Sequence, residues 1–135
     1  YYFGYGKNSF LYGRNLTKKK IKCNYKTSKL DDAKISVNTI NTLKHSKVHK
    51  LVKKHKGIFR ITNANAYNFC LLAEGKIDVI IESGLKKVDI LPLIAIIENS
   101  GAIITDWNGK KDFSSGKVLV SSNIKIHKKL LKIIK

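Results

Sequence analysis

The chain has 135 residues, of which 43% are hydrophobic, and this is enough for one domain with its own core. Its 27 basic and 9 acidic side chains give a formal charge of +18, and no apolar run reaches the roughly 18 residues that a membrane span needs. These numbers exclude a transmembrane helix in this sequence and raise the question of polyanion binding.

The positive charge is unevenly distributed, because residues 1–60 carry +14 and residues 61–135 carry +4. Of the 27 basic residues 25 are lysine, and the two arginines are Arg14 and Arg60. Proteins that read nucleic acid usually depend on arginine for bidentate base contacts and stacking. The excess of Lys, Ile and Asn therefore indicates a coding bias, and nucleic-acid binding is the less favoured alternative.

The two cysteines, Cys23 and Cys70, are far apart in the sequence and lack metal-ligand spacing. They predict unpaired thiols in a reducing compartment, and therefore a cytoplasmic protein. The sequence contains no Met, so we expect that the natural amino terminus lies upstream of Tyr1.

The first half of the chain predicts short strands and one helix. The segment Ser9–Arg14 is typical of a hairpin in which Gly13 supplies the turn. Alternation predicts a half-buried strand over residues 33–39. Helical spacing of apolar residues predicts a helix from Lys44 to Lys56, which Gly57 ends. A short strand over residues 58–61 follows.

The second half predicts alternating helices and strands. The predicted elements are a helix over 64–74, a strand over 77–81, a helix over 89–100, strands over 102–105 and 118–121, and a helix over 124–134. The helix over 89–100 is apolar nearly all round, which predicts that it is buried. This order predicts an α/β layered sheet that is parallel at least in part.

Two acidic residues occupy positions where ligands gather in such sheets, beyond the carboxyl ends of strands and at helix amino termini. Glu82 is predicted just past the strand 77–81, and Asp89 is predicted to open the next helix. An Asp at a helix start also has a structural explanation, since it can cap the free N–H groups of the first turn.

The stretch from Leu71 reads LLAEGKIDVIIESGLKKVDILPLIAIIENSGAIITDWNG. It resembles the carboxy-terminal signature of the inositol monophosphatase superfamily, in which a strand ends in Glu and is followed by aromatic-Asp-x-Ala-Ala, a buried helix and Glu-x-Ala-Gly-Gly. The separation of Glu82 and Asp89 is that of the family. The segment Thr105–Gly109 resembles the histidinol-phosphatase-like branch. Weaker likeness at Asn8–Arg14 and Leu30–Ile35 extends the resemblance over the chain.

The resemblance implies the carboxy-terminal half of a layered αβαβα sugar-phosphatase fold, in which residues 1–135 form the carboxy-terminal portion of one domain. It implies Mg²⁺ as the cofactor, with Asp89 as a metal ligand and with Glu82 and Asn65 as substrate contacts. Oxygen-only ligation suits Mg²⁺. In that family a Glu and an Asp-Pro-x-Asp-Gly-Thr motif of the amino-terminal half bind the first two metals.

Several residues depart from the family pattern, and neither a Glu nor the Asp-Pro-x-Asp-Gly-Thr motif occurs before Glu74. Val88 replaces the usual aromatic residue, Leu91-Pro92 replaces the Ala-Ala pair, and Asn65 replaces an acidic substrate contact. We therefore expect that the amino-terminal metal-binding half is absent and that this chain alone is inactive.

The leading hypothesis is a fragment of a Mg²⁺-dependent phosphomonoesterase for a small phosphorylated alcohol, of the histidinol phosphate or inositol phosphate type. The alternatives are a non-catalytic half-domain that binds an anion or a protein partner, and, less favoured, a basic nucleic-acid-binding protein. A homodimer is considered as an assembly, and no membrane partner is expected.

Other polar residues favour structural explanations. His45 and His49 have a spacing that could bind Zn²⁺, but a solvated helix face is the preferred interpretation. Asp78 is expected at the surface or capping a turn. Asp106 is expected to fix the turn that follows the strand 102–105.

Overall fold

A computed structural model describes residues 1–15, 17–37, 40–57, 59–61 and 64–135. These residues form two β-sheets and five α-helices. The predicted strands over 33–39 and 58–61 each include residues that lie outside the described ranges.

The first sheet has three antiparallel strands in the order β1-β2-β3. The strands are β1 (Tyr2–Tyr5), β2 (Asn8–Tyr12) and β3 (Lys18–Ile21). Gly13 lies in the connection between β2 and β3, where its N–H donates to the carbonyl of Thr17 at 3.2 Å. The predicted segment Ser9–Arg14 therefore corresponds to most of β2 and the beginning of the turn that joins it to β3. The preceding hairpin, which turns at Gly6 between β1 and β2, was not predicted.

The second sheet has five strands in the order β5-β4-β6-β8-β7. They are β4 (Ile35–Val37), β5 (Phe59–Ile61), β6 (Val79–Glu82), β7 (Ile103–Thr105) and β8 (Val118–Ser121). β4 runs parallel to β5 and β6, whereas β8 runs antiparallel to β6 and β7. The prediction of a partly parallel α/β sheet is confirmed.

The helices are α1 (Ile40–Leu43), α2 (Ser46–Lys54), α3 (Asn65–Ala73), α4 (Lys87–Asn99) and α5 (Ile124–Ile134). A 3₁₀ turn covers Leu30–Asp32. α4 is the longest of these helices, and its 13 residues are fewer than the about 20 that a bilayer requires. No helix in the described ranges could cross a membrane.

The core lies on both faces of the five-stranded sheet. Ile80 of β6 and Ile97 of α4 belong to one buried cluster, which also reaches the three-stranded sheet through Ile21. Ile81 packs in a second cluster, under α2 and α5, with residues such as Leu130. Successive β6 residues thus enter different clusters, as the strand period of two requires. This two-sided burial explains why the strand is apolar throughout.

α4 is not buried all round, which corrects the prediction made from its apolar sequence. The side chains of Val88 and Leu91 are 73% and 56% exposed, and Pro92 and Ala95 on the same side are also exposed. The opposite side is buried, with Ile90 and Ile97 fully inaccessible. Apolar composition alone did not predict this difference, because none of the described residues covers the exposed side of the helix.

Candidate active site

The carboxylate of Glu82 lies at the end of β6, at the centre of the candidate site. Glu82 is the last residue of the strand rather than the first residue after it, and it is 0% exposed. Both carboxylate oxygens are buried and have no hydrogen-bond partner among the described residues. Such a group is costly in a protein interior, because an ionised carboxylate loses its hydration without compensation. This makes Glu82 the most conspicuous polar residue of the fold.

Burial raises the pKa of Glu82 from its ordinary value of 4.5 to about 8, and the negative charge of Asp89 adds to the increase. Desolvation is the larger cause, as expected for a buried carboxyl group to which no described residue donates a hydrogen bond. The contribution of Asp89 shows that the structure brings the two predicted site residues within electrostatic reach. In the chain as described, Glu82 is therefore protonated at neutral pH.

Asp89 is the third residue of α4 and is exposed. One of its oxygens, Oδ2, accepts a hydrogen bond from the backbone N–H of Lys86 at 2.8 Å. Asp89 was predicted to be the first residue of the helix, but the helix begins two residues earlier, at Lys87. The side chain of Asp89 accepts from Lys86, the residue that precedes the helix. This contact resembles one half of a capping box. The second oxygen, Oδ1, has no hydrogen bond or ion pair with another residue in the described ranges.

The loop between Glu82 and Asp89 is held by contacts on two sides. Ser83 donates its backbone N–H to Oγ1 of Thr42 at 2.9 Å, and the two hydroxyl groups lie 3.2 Å apart. Leu85 donates its N–H to the carbonyl of Gly116 at 3.1 Å. A Cβ at Gly116 would lie 2.4 Å from the carbonyl oxygen of Leu85, so this approach requires glycine. Segments that are distant in sequence thus hold the loop that joins Glu82 to Asp89.

Asn65 is the first residue of α3, which follows β5. Because β4, β5 and β6 are parallel, the segment after β5 and the end of β6 lie at the same edge of the sheet. Oδ1 of Asn65 is buried and has no partner among the described residues. No hydrogen bond between described residues joins Asn65 to Glu82 or Asp89. The nearby Asn63 lies outside the described ranges.

The oxygen atoms of this site suit a hard cation, but they are too few to hold one. Mg²⁺ prefers carboxylate oxygens and retains several waters, and the exposed carboxylate of Asp89 meets that preference. Among the described residues no group of three His, Cys, Asp or Glu side chains could enclose a metal ion. The residues therefore fit one wall of a Mg²⁺ site, which needs further carboxylates from elsewhere.

The remaining polar candidates have structural roles. Asp106 is buried and accepts from the N–H groups of Asn108 and Lys110 at 2.9 and 2.6 Å, which confirms that it fixes the turn. Asp78 was expected at the surface or capping a turn; it is 1% exposed, so the surface alternative was wrong. Its carboxylate accepts from the N–H of Lys34 and from Nδ2 of Asn24, both at 2.9 Å.

The histidines do not form a shared helix face. His45 precedes α2 and packs edge-on against Trp107, with ring centroids 4.8 Å apart, whereas His49 is exposed. Sequence reasoning missed a buried histidine, His127 of α5. Its ring nitrogens lie 2.9 Å from Oγ1 of Thr105 and 3.2 Å from Oγ of Ser121. Burial lowers the pKa of His127 to about 4, so it is a neutral hydrogen-bonding group that ties α5 to β7 and β8.

The family model described as "Inositol monophosphatase family" matches residues 2–135. The chain belongs to this family. Among curated proteins, it is 46% identical over 63 residues to "Bifunctional phosphatase IMPL2, chloroplastic" of Arabidopsis thaliana, an alignment that covers 44% of this chain and 18% of that protein. It is 38% identical over 65 residues to "Nus factor SuhB" of Vibrio cholerae, covering 47% of this chain and 24% of that protein.

Solved structures of the family share the fold. The extragenic suppressor protein SuhB of Bartonella henselae superimposes with a TM-score of 0.74 at 19% identity, covering 94% of this chain and 53% of that chain. This level of identity shows the fold alone. The chain thus spans about half the length of the structures that it matches. The predicted family and fold class are confirmed.

Proposed function

We propose that this chain is the carboxy-terminal portion of a Mg²⁺-dependent phosphomonoesterase that acts on a small phosphorylated alcohol. The observation that carries the proposal is the buried carboxylate of Glu82, which has no hydrogen-bond partner among the described residues, beside the exposed carboxylate of Asp89 in a chain of the inositol monophosphatase family. Two carboxylates at the carboxyl edge of a partly parallel sheet, seven residues apart, provide a metal ligand and a separate polar contact for a substrate.

In this proposal Asp89 binds the metal through Oδ1, while Oδ2 stays with the N–H of Lys86. The hydrogen bond orients the carboxylate before the metal arrives, so little side-chain freedom is lost on binding. Bound Mg²⁺ supplies an activated water and neutralises charge on the phosphate and the leaving oxygen. Glu82 lies deeper and contacts a hydroxyl or amino group of the substrate away from the phosphate.

The histidinol-phosphatase branch remains a proposal, with inositol phosphates as the other substrate type. Asn65 supports a substrate contact because its Oδ1 is buried and unpartnered in the described part of the chain. An amide oxygen can accept a hydrogen bond from a substrate amine or hydroxyl group. It provides no negative charge, and a cationic amine is therefore held less strongly than by the Asp of related proteins.

The first two metals require ligands that these 135 residues do not provide, so we propose that catalysis needs the amino-terminal half of the family fold. The non-catalytic alternative is disfavoured by Glu82. A fold without a ligand would be more stable with an apolar residue or an amide at this position, because the carboxylate is buried and no described residue forms a hydrogen bond with it. A nucleic-acid-binding role has no comparable feature at this site.

The proposal is tested in the complete parent enzyme by measuring Mg²⁺-dependent phosphate release from histidinol phosphate and inositol phosphate. Asp89→Asn should lower turnover by on the order of 10²-fold or more, because a metal contributes several kcal/mol of transition-state stabilisation. Its thermal midpoint should hardly change, since Asn can also accept from the N–H of Lys86.

Glu98→Gln is the matched control, because it removes a carboxylate of α4 whose partner is the exposed Lys111. It should leave turnover unchanged. Wild-type turnover in Asp89→Asn at limiting Mg²⁺ would show that Asp89 is only a helix-end residue, and the proposed site would be wrong.

A further inference from the structure

A basic cavity lies at the carboxyl end of α4, away from the candidate active site. Its volume is about 340 Å³, which is at the lower end of the range for sites that bind small molecules. Asn99 in its wall and Asp89 are ten residues apart in α4, so along the helix axis the cavity lies about 15 Å from the candidate metal ligand. We call it the α4-end cavity, and the residues that define it are Lys7, Asn8, Lys20, Lys22, Tyr25 and Asn99.

The polar side chains of the α4-end cavity are hydrogen-bond donors that lack acceptors in the described part of the chain. Lys7 lies in the turn between β1 and β2, Lys20 lies in β3, and Lys22 follows β3. Asn8 and Asn99 add two amide groups to these three ammonium groups. Between described residues, none of the five side chains forms a hydrogen bond or an ion pair. No described Asp or Glu lines the cavity, so its donors remain available for an anion.

Stabilisation of the carboxyl end of α4 is the structural alternative, because cations near a helix carboxyl terminus offset its dipole. Four carbonyl groups at this end already accept hydrogen bonds from described residues, and they are those of Ile96, Ile97, Glu98 and Ser100. One of the donors, the N–H of Cys23, belongs to the wall of the cavity and lies 3.0 Å from its acceptor. The end of the helix therefore does not require three lysines as caps.

A phosphate group is the anion that suits these donors. It carries nearly two negative charges at neutral pH and three strongly accepting oxygens, whereas a carboxylate carries one charge and two oxygens. Three ammonium groups and two amides can therefore satisfy a phosphate more fully. The ring of Tyr25, which is 64% exposed, adds a less polar wall, so the cavity also has room for a small organic group on the phosphate.

We propose that the α4-end cavity binds a small phosphate-bearing anion, either inorganic phosphate or a small phosphate monoester. This is a second binding site, separate from the candidate active site. It uses neither Glu82, Asp89 nor Asn65, and it needs no metal. The second site and the proposed function are therefore independent, and either can fail without the other.

The experiment measures the binding of inorganic phosphate and of glycerol phosphate to the 135-residue chain by isothermal titration calorimetry, at physiological salt and with a chelator present. We expect saturable binding of a single anion. Lys20→Gln should weaken the affinity by roughly tenfold or more, because it removes a charge-assisted hydrogen bond. Lys19→Gln is the matched control, because Lys19 precedes Lys20 in β3, points to the opposite face and acts on Glu74. It should change the affinity by less than about twofold, since distant charges are screened.

Asn8→Asp is a second variant, which adds a carboxylate to the cavity with almost no change of shape and should abolish binding. Circular dichroism checks that each variant retains the fold. A preference for glycerol phosphate would identify a monoester as the ligand, and equal affinities would identify free phosphate; both results support the site.

Three results would overturn the second site. Binding that does not saturate, or equal weakening in Lys19→Gln and Lys20→Gln, would mean only a general attraction of anions to the +18 charge. Wild-type affinity in Asn8→Asp would show that the anion binds elsewhere. Loss of binding in Asp89→Asn would place the anion at the candidate active site, whereas unchanged affinity in that variant supports a separate site.

Discussion

Replacing Glu82 by Gln should make the metal-free chain more stable at neutral pH. Glu82 is fully buried, and neither carboxylate oxygen has a partner among the described residues. Folding therefore forces this group to hold a proton that it would release in water. Gln has nearly the same shape and no charge to lose, so the variant avoids this cost. The prediction concerns the isolated chain in the presence of a chelator, where no metal compensates the carboxylate.

The size and sign of the effect follow from the pKa of Glu82, which burial raises from 4.5 to about 8. Below about pH 4.5 the folded and unfolded chains both bind the proton, and Glu82 costs nothing. Between pH 4.5 and 8 the unfolded chain ionises and the folded chain does not, so stability falls as pH rises. At about 1.4 kcal/mol for each pKa unit, the cost reaches about 3 kcal/mol at pH 7 and about 5 kcal/mol above pH 8.

The assay is urea unfolding of wild-type, Glu82→Gln and Glu98→Gln chains at pH 4.5, 7 and 8, monitored by circular dichroism. The gain in unfolding free energy for Glu82→Gln should be near zero at pH 4.5 and should grow to about 3 kcal/mol at pH 7. Glu98→Gln is the control for the same chemical change at a partly exposed position paired with Lys111, and it should change stability by less than about 1 kcal/mol at any pH.

A gain that is equal at pH 4.5 and pH 7 would refute the reasoning, because only ionisation of the unfolded chain makes the difference depend on pH. A loss of stability at pH 7 would also refute it, since it would mean that the Glu82 carboxylate is ionised and favourably bound in the fold. Neither result would be explained by desolvation.

Three further predictions concern the isolated chain. The purified 135-residue chain should release no phosphate from phosphomonoesters above background, and steady Mg²⁺-dependent release would contradict the missing-ligand argument. Binding to duplex DNA should be weak, with a Kd of roughly 10⁻⁴ to 10⁻⁶ M at physiological salt, and sequence-selective nanomolar binding in a titration would favour the nucleic-acid alternative. Asp78→Ala should lower the unfolding free energy by about 2–3 kcal/mol, because it removes the acceptor of the Lys34 N–H and one of the two acceptors of the Asn24 amide; a change below about 0.5 kcal/mol in urea unfolding would show that these contacts contribute little.

The order of the elements from β4 onward was predictable from local patterns apart from α1, whereas β1 and β3 were not predicted. β8 and α5 have the predicted boundaries, and the other predicted segments contain the observed strands and helices to within a few residues. These segments have strong periodicity or continuous apolar runs, and glycine or polar residues at their ends. The family signature from Leu71 to Gly109 was also recognisable in the sequence, because it is defined by residue types and by the sequence separation of Glu82 and Asp89. The sequence by itself therefore determined the fold class and two of the residues of the candidate site.

Only the tertiary structure decided how those residues are surrounded. The apolar sequence of α4 predicted burial on all sides, yet Val88 and Leu91 are exposed because no described segment covers them. Asp78 was expected at the surface or capping a turn, yet it is buried and accepts hydrogen bonds from Lys34 and Asn24, which are distant in sequence. Burial raises the pKa of Glu82, and this burial depends on the segments that pack around the end of β6; only the smaller contribution, from Asp89, comes from a residue that the local pattern identified. Periodicity records which sides of an element are apolar, whereas desolvation and exposure depend on segments far along the chain that pack against it or fail to do so.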